Sequence, residues 1–237
     1  MLKEALEFLV SLKETKLVEV NGEKYSTEEL KHVPIIYDPT PVTRAIEIST
    51  LTGLVDYIKE NVDKLTGPLV VHINSPKSVS VYSELRPDAR RHGYIECKAW
   101  TPEIKYGSFI DVENFNIMLQ SCFLQNEHSK AILKVVGNIV EENVSSTSDD
   151  GVSQKVVAKT GIAKVAEIEV PNPVILCPFR TFAEVDQPES KFIFRLQAGP
   201  KAAIFEADGG IWRLYAMQNV KAYLAEKLQG CDVKIIS

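Results

Sequence analysis

The sequence predicts an α+β fold, and three observations carry that expectation. The chain has 237 residues, 45% of them apolar, which is enough for a sizeable core. Its first half mixes segments of helical period with segments of alternating period. Its second half is a run of short alternating segments broken by Gly, Pro, Asn or Asp, the pattern of an antiparallel sheet. The expected architecture is a mixed αβββα-type N-terminal half, followed by a mainly antiparallel C-terminal sheet packed by a helix.

The elements follow in order. Leu2, Ala5, Leu6, Leu9 and Leu12 fall at helical spacing. A hairpin should follow, KLVEV and EKY joined by Asn21-Gly22, a pair suited to the positive φ angles of a type I′ turn. Ser26 and Glu29 have capping-box spacing, and prolines at 34, 39 and 41 make the next stretch extended. VTRAIEIS alternates as a strand. The segment from about Thr50 to Asn61 reads as a helix burying Leu51, Leu54, Val55, Ile58 and Val62. LVVHINS, SVSVYSEL and YIECKAW read as three strands. Two helices come next, one capped by Asp111 and one from about Glu127 to Ile139.

The polar run EENVSSTSDDG has no apolar period and reads as a loop. Beyond it VSQKVVAKTG, AKVAEIEV, PVILCPFRTF, SKFIFRLQA and KAAIFEADGGIWRLYA read as strands, with Gly209-Gly210 as a hairpin turn. A last helix carries Met217, Val220, Tyr223, Leu224 and Leu228 on one face and stops at Gly230, and VKII is a final strand. The implied organisation is an appendage over 1–32, a mixed lobe over 33–142, a polar loop over 143–151 and an antiparallel lobe with the C-terminal helix over 152–237.

Charge narrows the function classes. The net charge is -5, and all of it lies in the first 142 residues, with 16 Lys and Arg against 21 Asp and Glu. A surface that grips duplex DNA everywhere would be basic, so nucleic-acid contact must come from local features. Cys97, Cys122, Cys177 and Cys231 are scattered without a CxxC pair, which argues against a zinc ribbon or disulfide scaffold. The N-terminal segment carries Glu4, Glu7 and Glu14 and no small-residue cleavage site, unlike a signal peptide, and no apolar run reaches membrane-spanning length. A cytoplasmic protein with reduced thiols, free of membrane, is the expectation.

At DDGVSQ (149–154), PNPV (171–174), PFRTF (178–182), QPESKFIFR (187–195), FEADGGIW (205–212) and SELRPDARRHGYIECKAW, the chain resembles an uncharacterised family found mainly in bacteriophages and prophages. The similarity runs from about residue 15 to 228. It resembles the YfdQ-like domain of unknown function more loosely. The resemblance implies an intracellular phage or prophage product of the early or DNA-metabolism region. It implies no activity, and it carries over no functional residue.

Three groups of residues carry candidate chemistry. Pro87-Asp88 followed by Glu96-Cys97-Lys98 has the spacing of PD-(D/E)xK nucleases, in which two carboxylates hold Mg²⁺ or Mn²⁺ and the Lys serves the nucleophile. Asp88, Glu96 and Lys98 are then the catalytic residues, Asp88 and Glu96 the metal ligands, with Glu60 as an extra ligand. Pro-Asp is also an ordinary turn pair, and Glu and Lys two apart an ordinary solvated strand face. Around that turn, Arg86, Arg90, Arg91 and His92 present cations suited to phosphate. In the second half Arg180, Arg195 and Arg213 interleave with Phe179, Phe182, Phe192, Phe194, Phe205, Trp212 and Tyr215. Sheets that hold single strands combine such residues, although the same Phe positions equally suit a core.

The function expected from these features is a non-enzymatic, homo-oligomeric binding protein associated with single-stranded nucleic acid or DNA metabolism and needing no cofactor. A metal-dependent nuclease is one alternative. The other is an interaction protein that sequesters a host or phage protein or a small nucleotide.

Overall fold

A computed structural model of the chain describes residues 3, 16–26, 32–33, 44–86, 89–137, 144–149, 154–158, 166–197 and 199–237. The chain divides into two compact units, Met1–Val42 and Thr43–Ser237. In the first, β1 (Leu17–Val20) and β2 (Glu23–Ser26) form an antiparallel hairpin and β3 (His32–Val33) pairs with β2. Asn21 and Gly22 turn that hairpin with φ of 54° and 82°, the conformation that the Asn-Gly pair favours. Ser26 ends β2, while Glu29, the proline-rich connection and all of the N-terminal helix but Lys3 lie outside the described residues.

The second unit opens with β4 (Ile46–Ile48), α1 (Leu51–Glu60), β5 (Leu69–Ser75), β6 (Ser78–Ser83) and β7 (Gly93–Lys98). Next come β8 (Ile110–Asp111), α2 (Val112–Ser121), β9 (Phe123–Leu124), α3 (Glu127–Gly137), β10 (Val144–Asp149), β11 (Gln154–Ala158) and β12 (Ala166–Val170). It closes with β13 (Val174–Pro178), β14 (Ser190–Gln197), β15 (Lys201–Glu206), α4 (Trp212–Lys227) and β16 (Val233–Ile236). The strands form a five-stranded sheet of order β16-β5-β6-β7-β4, a five-stranded sheet of order β8-β15-β14-β13-β9, and the ribbon β10-β11-β12. The first sheet is antiparallel in its centre with parallel strands at both edges, and the second is antiparallel throughout. The fold is α+β, as the sequence predicts.

Local chemistry sets the helix limits. Thr50 caps α1 by accepting from the Gly53 amide at 3.1 Å. Asn61 ends it in the left-handed conformation, and its side chain closes a ring with both backbone groups of Leu65. That stop takes Val62 off the helical face; it is 56% exposed rather than buried as its period suggests. Asp111 caps α2 through the Asn114 amide at 2.9 Å.

Two cores result. One joins α1 and α4 to the first sheet: Leu51, Leu54 and Ile58 pack with Val71, Ile73, Val79, Val81 and Ile95, and with Val220, Leu224 and Leu228. Each fully buried aliphatic side chain there is worth about 1.5–3 kcal/mol. The other joins α2 and α3 to the second sheet through Phe115, Leu119, Ile132, Val136, Val174, Leu176, Phe192 and Phe194. Each core therefore draws on residues from both sides of 143–151. The C-terminal helix covers the first sheet, while α2 and α3 pack on the antiparallel one.

Two expectations on secondary structure are corrected. The polar run read as a loop contains β10, which pairs with β11. A hairpin is held by backbone hydrogen bonds and needs no apolar period. IWRLYA, read as a strand, instead opens α4, because Trp212, Ala216, Val220 and Leu224 repeat every four residues and all are buried. Gly209-Gly210 thus turns the chain from a strand into a helix.

Candidate functional site

The connection from β13 to β14 spans the two sheets and places one buried cation between them. Pro178 ends β13. The Gln187 side chain then knits the loop, accepting from the amides of Arg180 and Thr181 at 3.0 and 3.2 Å and donating to the carbonyls of Phe182 and Val185. Phe182 plugs the first core, Thr181 Oγ1 donates to the Pro76 carbonyl, and Asn219 of α4 donates to the Asp186 carbonyl. Arg180 is consequently held at 4% exposure.

Both terminal nitrogens of its guanidinium are engaged by the protein. Nη1 pairs with Glu206 Oε1 at 3.1 Å and Nη2 donates to Ser190 Oγ. The Cζ atom lies 3.9 Å from the Trp212 ring centroid and 5.7 Å from that of Phe192. Burial pulls the Arg180 pKa down, while Tyr106, Glu206 and Asp208 push it back. Asp208 completes the compensation. Burial works to raise its carboxyl, but the Gly210 amide, Ser190, Arg180 and the Trp212 amide outweigh burial and hold it below the ordinary value.

The turn before α4 places a second cation. Gly210 has φ 81°, a conformation that favours glycine, and a Cβ there would displace the tip of the Arg213 side chain. Arg213 is exposed, with Cζ 5.0 Å from the Trp212 ring. Trp212 itself is 7% exposed. Flanked by two guanidiniums, it orients cations and is unsuited to stacking a base.

Together these residues line a cleft of about 460 Å³ with Lys77, Glu103 and Tyr106. Lys77 comes from the β5–β6 turn, and its Nζ donates to Thr101 Oγ1 at 2.8 Å. Tyr106 Oη, Arg180 Nε and Trp212 Nε1 are buried without a hydrogen-bond partner. Burial pushes the Tyr106 phenol up to about 12, so it stays protonated. The Arg and Trp groups are obligate donors, and each unsatisfied group costs about 1–3 kcal/mol. The exposed cations Lys77 and Arg213 favour a ligand rich in acceptors, in a volume typical of small-molecule sites.

The structure thus unites three of the residues singled out in the sequence, Arg180, Trp212 and Arg213, and separates the rest. Arg86 Nη1 lies 2.6 Å from His92 Nε2, the His92 Nδ1 atom is buried without a partner, and Arg91 donates to the Ser83 carbonyl at 2.9 Å. Arg86, Arg90, Arg91 and His92 follow the far end of β6, a strand about 17 Å long, from Lys77. Arg195 is half-buried on β14 and donates to the Phe194 carbonyl at 3.3 Å. Phe182, Phe192 and Phe194 belong to the cores, and Phe205 meets Phe109 edge-on at 6.1 Å, so the aromatics of these strands form no stacking platform.

Glu96 and Lys98 stand on the face of β7 away from the helices, paired at 3.0 Å and 49% and 61% exposed. Pro87 and Asp88 lie outside the described residues. Glu60 is exposed at the end of α1. Among the described residues no three His, Cys, Asp or Glu side chains are grouped to hold a metal ion.

Lys77, Tyr106, Ser190, Glu206 and Asp208 have no signal in the sequence. Lys77 is a lone Lys in a tight hairpin, and Asp208 reads as a turn residue, which it also is: its Oδ1 accepts from the Gly210 amide at 2.9 Å. Comparison of the chain with family models, with curated proteins and with solved structures gave no match.

Proposed function

We propose that this protein acts by binding, holding single-stranded nucleic acid through phosphate contacts at the cleft. The observation that carries this reading is the meeting of Arg180, Trp212 and Arg213 with Lys77 around one cavity of about 460 Å³. Lys77 and Arg213 are the exposed cations that meet phosphate. Arg180 and Trp212 are the frame that holds Arg213 in place. The net charge of -5 gives no global attraction for phosphate, so the contact has to be local. The setting of a phage or prophage protein in DNA metabolism rests on the resemblance at the motifs quoted above.

Self-association belongs to the same reading. The outer edges of the first sheet are β4 and β16, whose Ile46 and Ile236 are 46% and 49% exposed, and symmetric pairing would cover them. Light scattering at micromolar concentration tests this, and a clean monomer removes it.

Phosphate binding is tested by titrating a labelled oligonucleotide at rising salt. Affinity should fall with salt, since each phosphate contact releases counterions. An affinity indifferent to salt rules out phosphate contact.

A further inference from the structure

Trp100 is 88% exposed, and a large aromatic side chain left in water contributes no packing there. Its position is specific. It follows β7, between Ala99, whose amide donates to the Lys77 carbonyl at 2.9 Å, and Thr101, whose Oγ1 accepts from Lys77 Nζ at 2.8 Å. Lys77 is therefore bonded to both chain neighbours of Trp100. Pro102, two residues on and at most ~7 Å of chain away, already lines the cleft. Trp212, the other indole, has its ring engaged by Arg180 and Arg213. The segment that carries this open indole is thus bonded on both sides to Lys77, one of the exposed cations of the cleft.

We propose that Trp100 stacks an unpaired nucleobase whose phosphate meets Lys77 and Arg213. This rests on the nucleic-acid reading of the cleft and makes its ligand specific: a single strand, whose bases are free to stack, rather than a duplex or inorganic phosphate. Arg or Lys contacts alone give no such preference. Stacking on one aromatic ring accounts for about ten-fold or more in affinity.

The test uses the full chain and a labelled oligothymidylate, with a matching abasic oligonucleotide and a duplex as controls. Trp100→Ala should weaken oligothymidylate binding about ten-fold or more, and Trp100→Phe should retain most of it. The salt dependence should be unchanged in both, because no phosphate contact is lost. Binding of the abasic strand and of the duplex should be insensitive to the substitution. Since the indole is in solvent, neither variant should disturb the fold. If the wild-type protein binds the oligothymidylate and Trp100→Ala binds it equally well, the inference falls while the cleft reading stands, and the indole is left to a protein partner. If the wild type binds no oligonucleotide at all, both fall.

Discussion

Replacing Arg180 by Met tests whether the cleft is organised around a structural cation. Met fills the slot between Trp212 and Phe192 but removes the pairing with Glu206 at 3.1 Å, the bond to Ser190 and the face contact with Trp212 at 3.9 Å. Charge-assisted hydrogen bonds contribute about 1.5–3 kcal/mol each, and a desolvated cation–π contact about 2 kcal/mol. Against these stands the cost of burying a guanidinium, several kcal/mol, which the substitution relieves. Glu206 is one third exposed and regains water, whereas Ser190 is buried and left short of a partner. The net expectation is a loss of about 2–3 kcal/mol, read as a drop of about 1 M in the urea midpoint at unchanged slope. Arg180→Lys keeps the charge but not the planar fork, and should lose about half as much. A Met variant as stable as the wild type, or more so, would refute the reasoning: desolvation would then outweigh every contact the guanidinium makes.

Further outcomes follow from the same geometry. Cys97, Cys122 and Cys177 are buried, with the Cys97 thiol pushed up to about 12 by burial, whereas Cys231 is half-buried. A thiol reagent should therefore modify Cys231 first in the native protein, and equal rates for all four would contradict the packing. The lowered Asp208 carboxyl stabilises the fold at neutral pH, and that contribution is lost as pH falls below 3.8 through its folded value. Asp208→Asn should be less stable than wild type at pH 7 and converge with it in acid; a gap independent of pH would count against the assignment. Leu224→Ala, in the core shared by α4 and the first sheet, should cost about 2–4 kcal/mol by chemical denaturation, whereas Leu214→Ala at 54% exposure should change stability by less than about 0.5 kcal/mol. A protein that only binds should leave single-stranded and duplex DNA intact with Mg²⁺ or Mn²⁺, and cleavage abolished by Asp88→Ala would overturn that account.

Much of the fold was legible because its signals are local. Thr50 and Asn61 bracket α1 at the ends that the sequence predicts, Asn21-Gly22 turns the first hairpin, and LVVHINS and VKII are strands over their full length. What was not legible depends on distant partners. β10 is polar and exists through its pairing with β11. The residues after Gly210 satisfy an alternating and a helical pattern alike, and only the core that receives Trp212 and Ala216 selects the helix. The site follows the same rule. Arg180, Arg213 and Trp212 stand out as residue types, but their meeting with Lys77 requires two sheets and the Gln187-bound loop to be in place. Alternation places Trp100 on the polar face of Glu96 and Lys98, in keeping with its exposure, whereas the bonds from its chain neighbours to Lys77 appear only in the structure.

The measurement that bears most directly on the central claim is oligonucleotide affinity against salt for the wild type and for Lys77→Ala/Arg213→Ala. With two cations on phosphate, log affinity for a single strand should fall against log salt with a slope of about -1.4 in the wild type. In the double variant the affinity should drop and the slope should approach zero. A wild-type affinity that does not change with salt, or a double variant with the wild-type slope, would contradict the account.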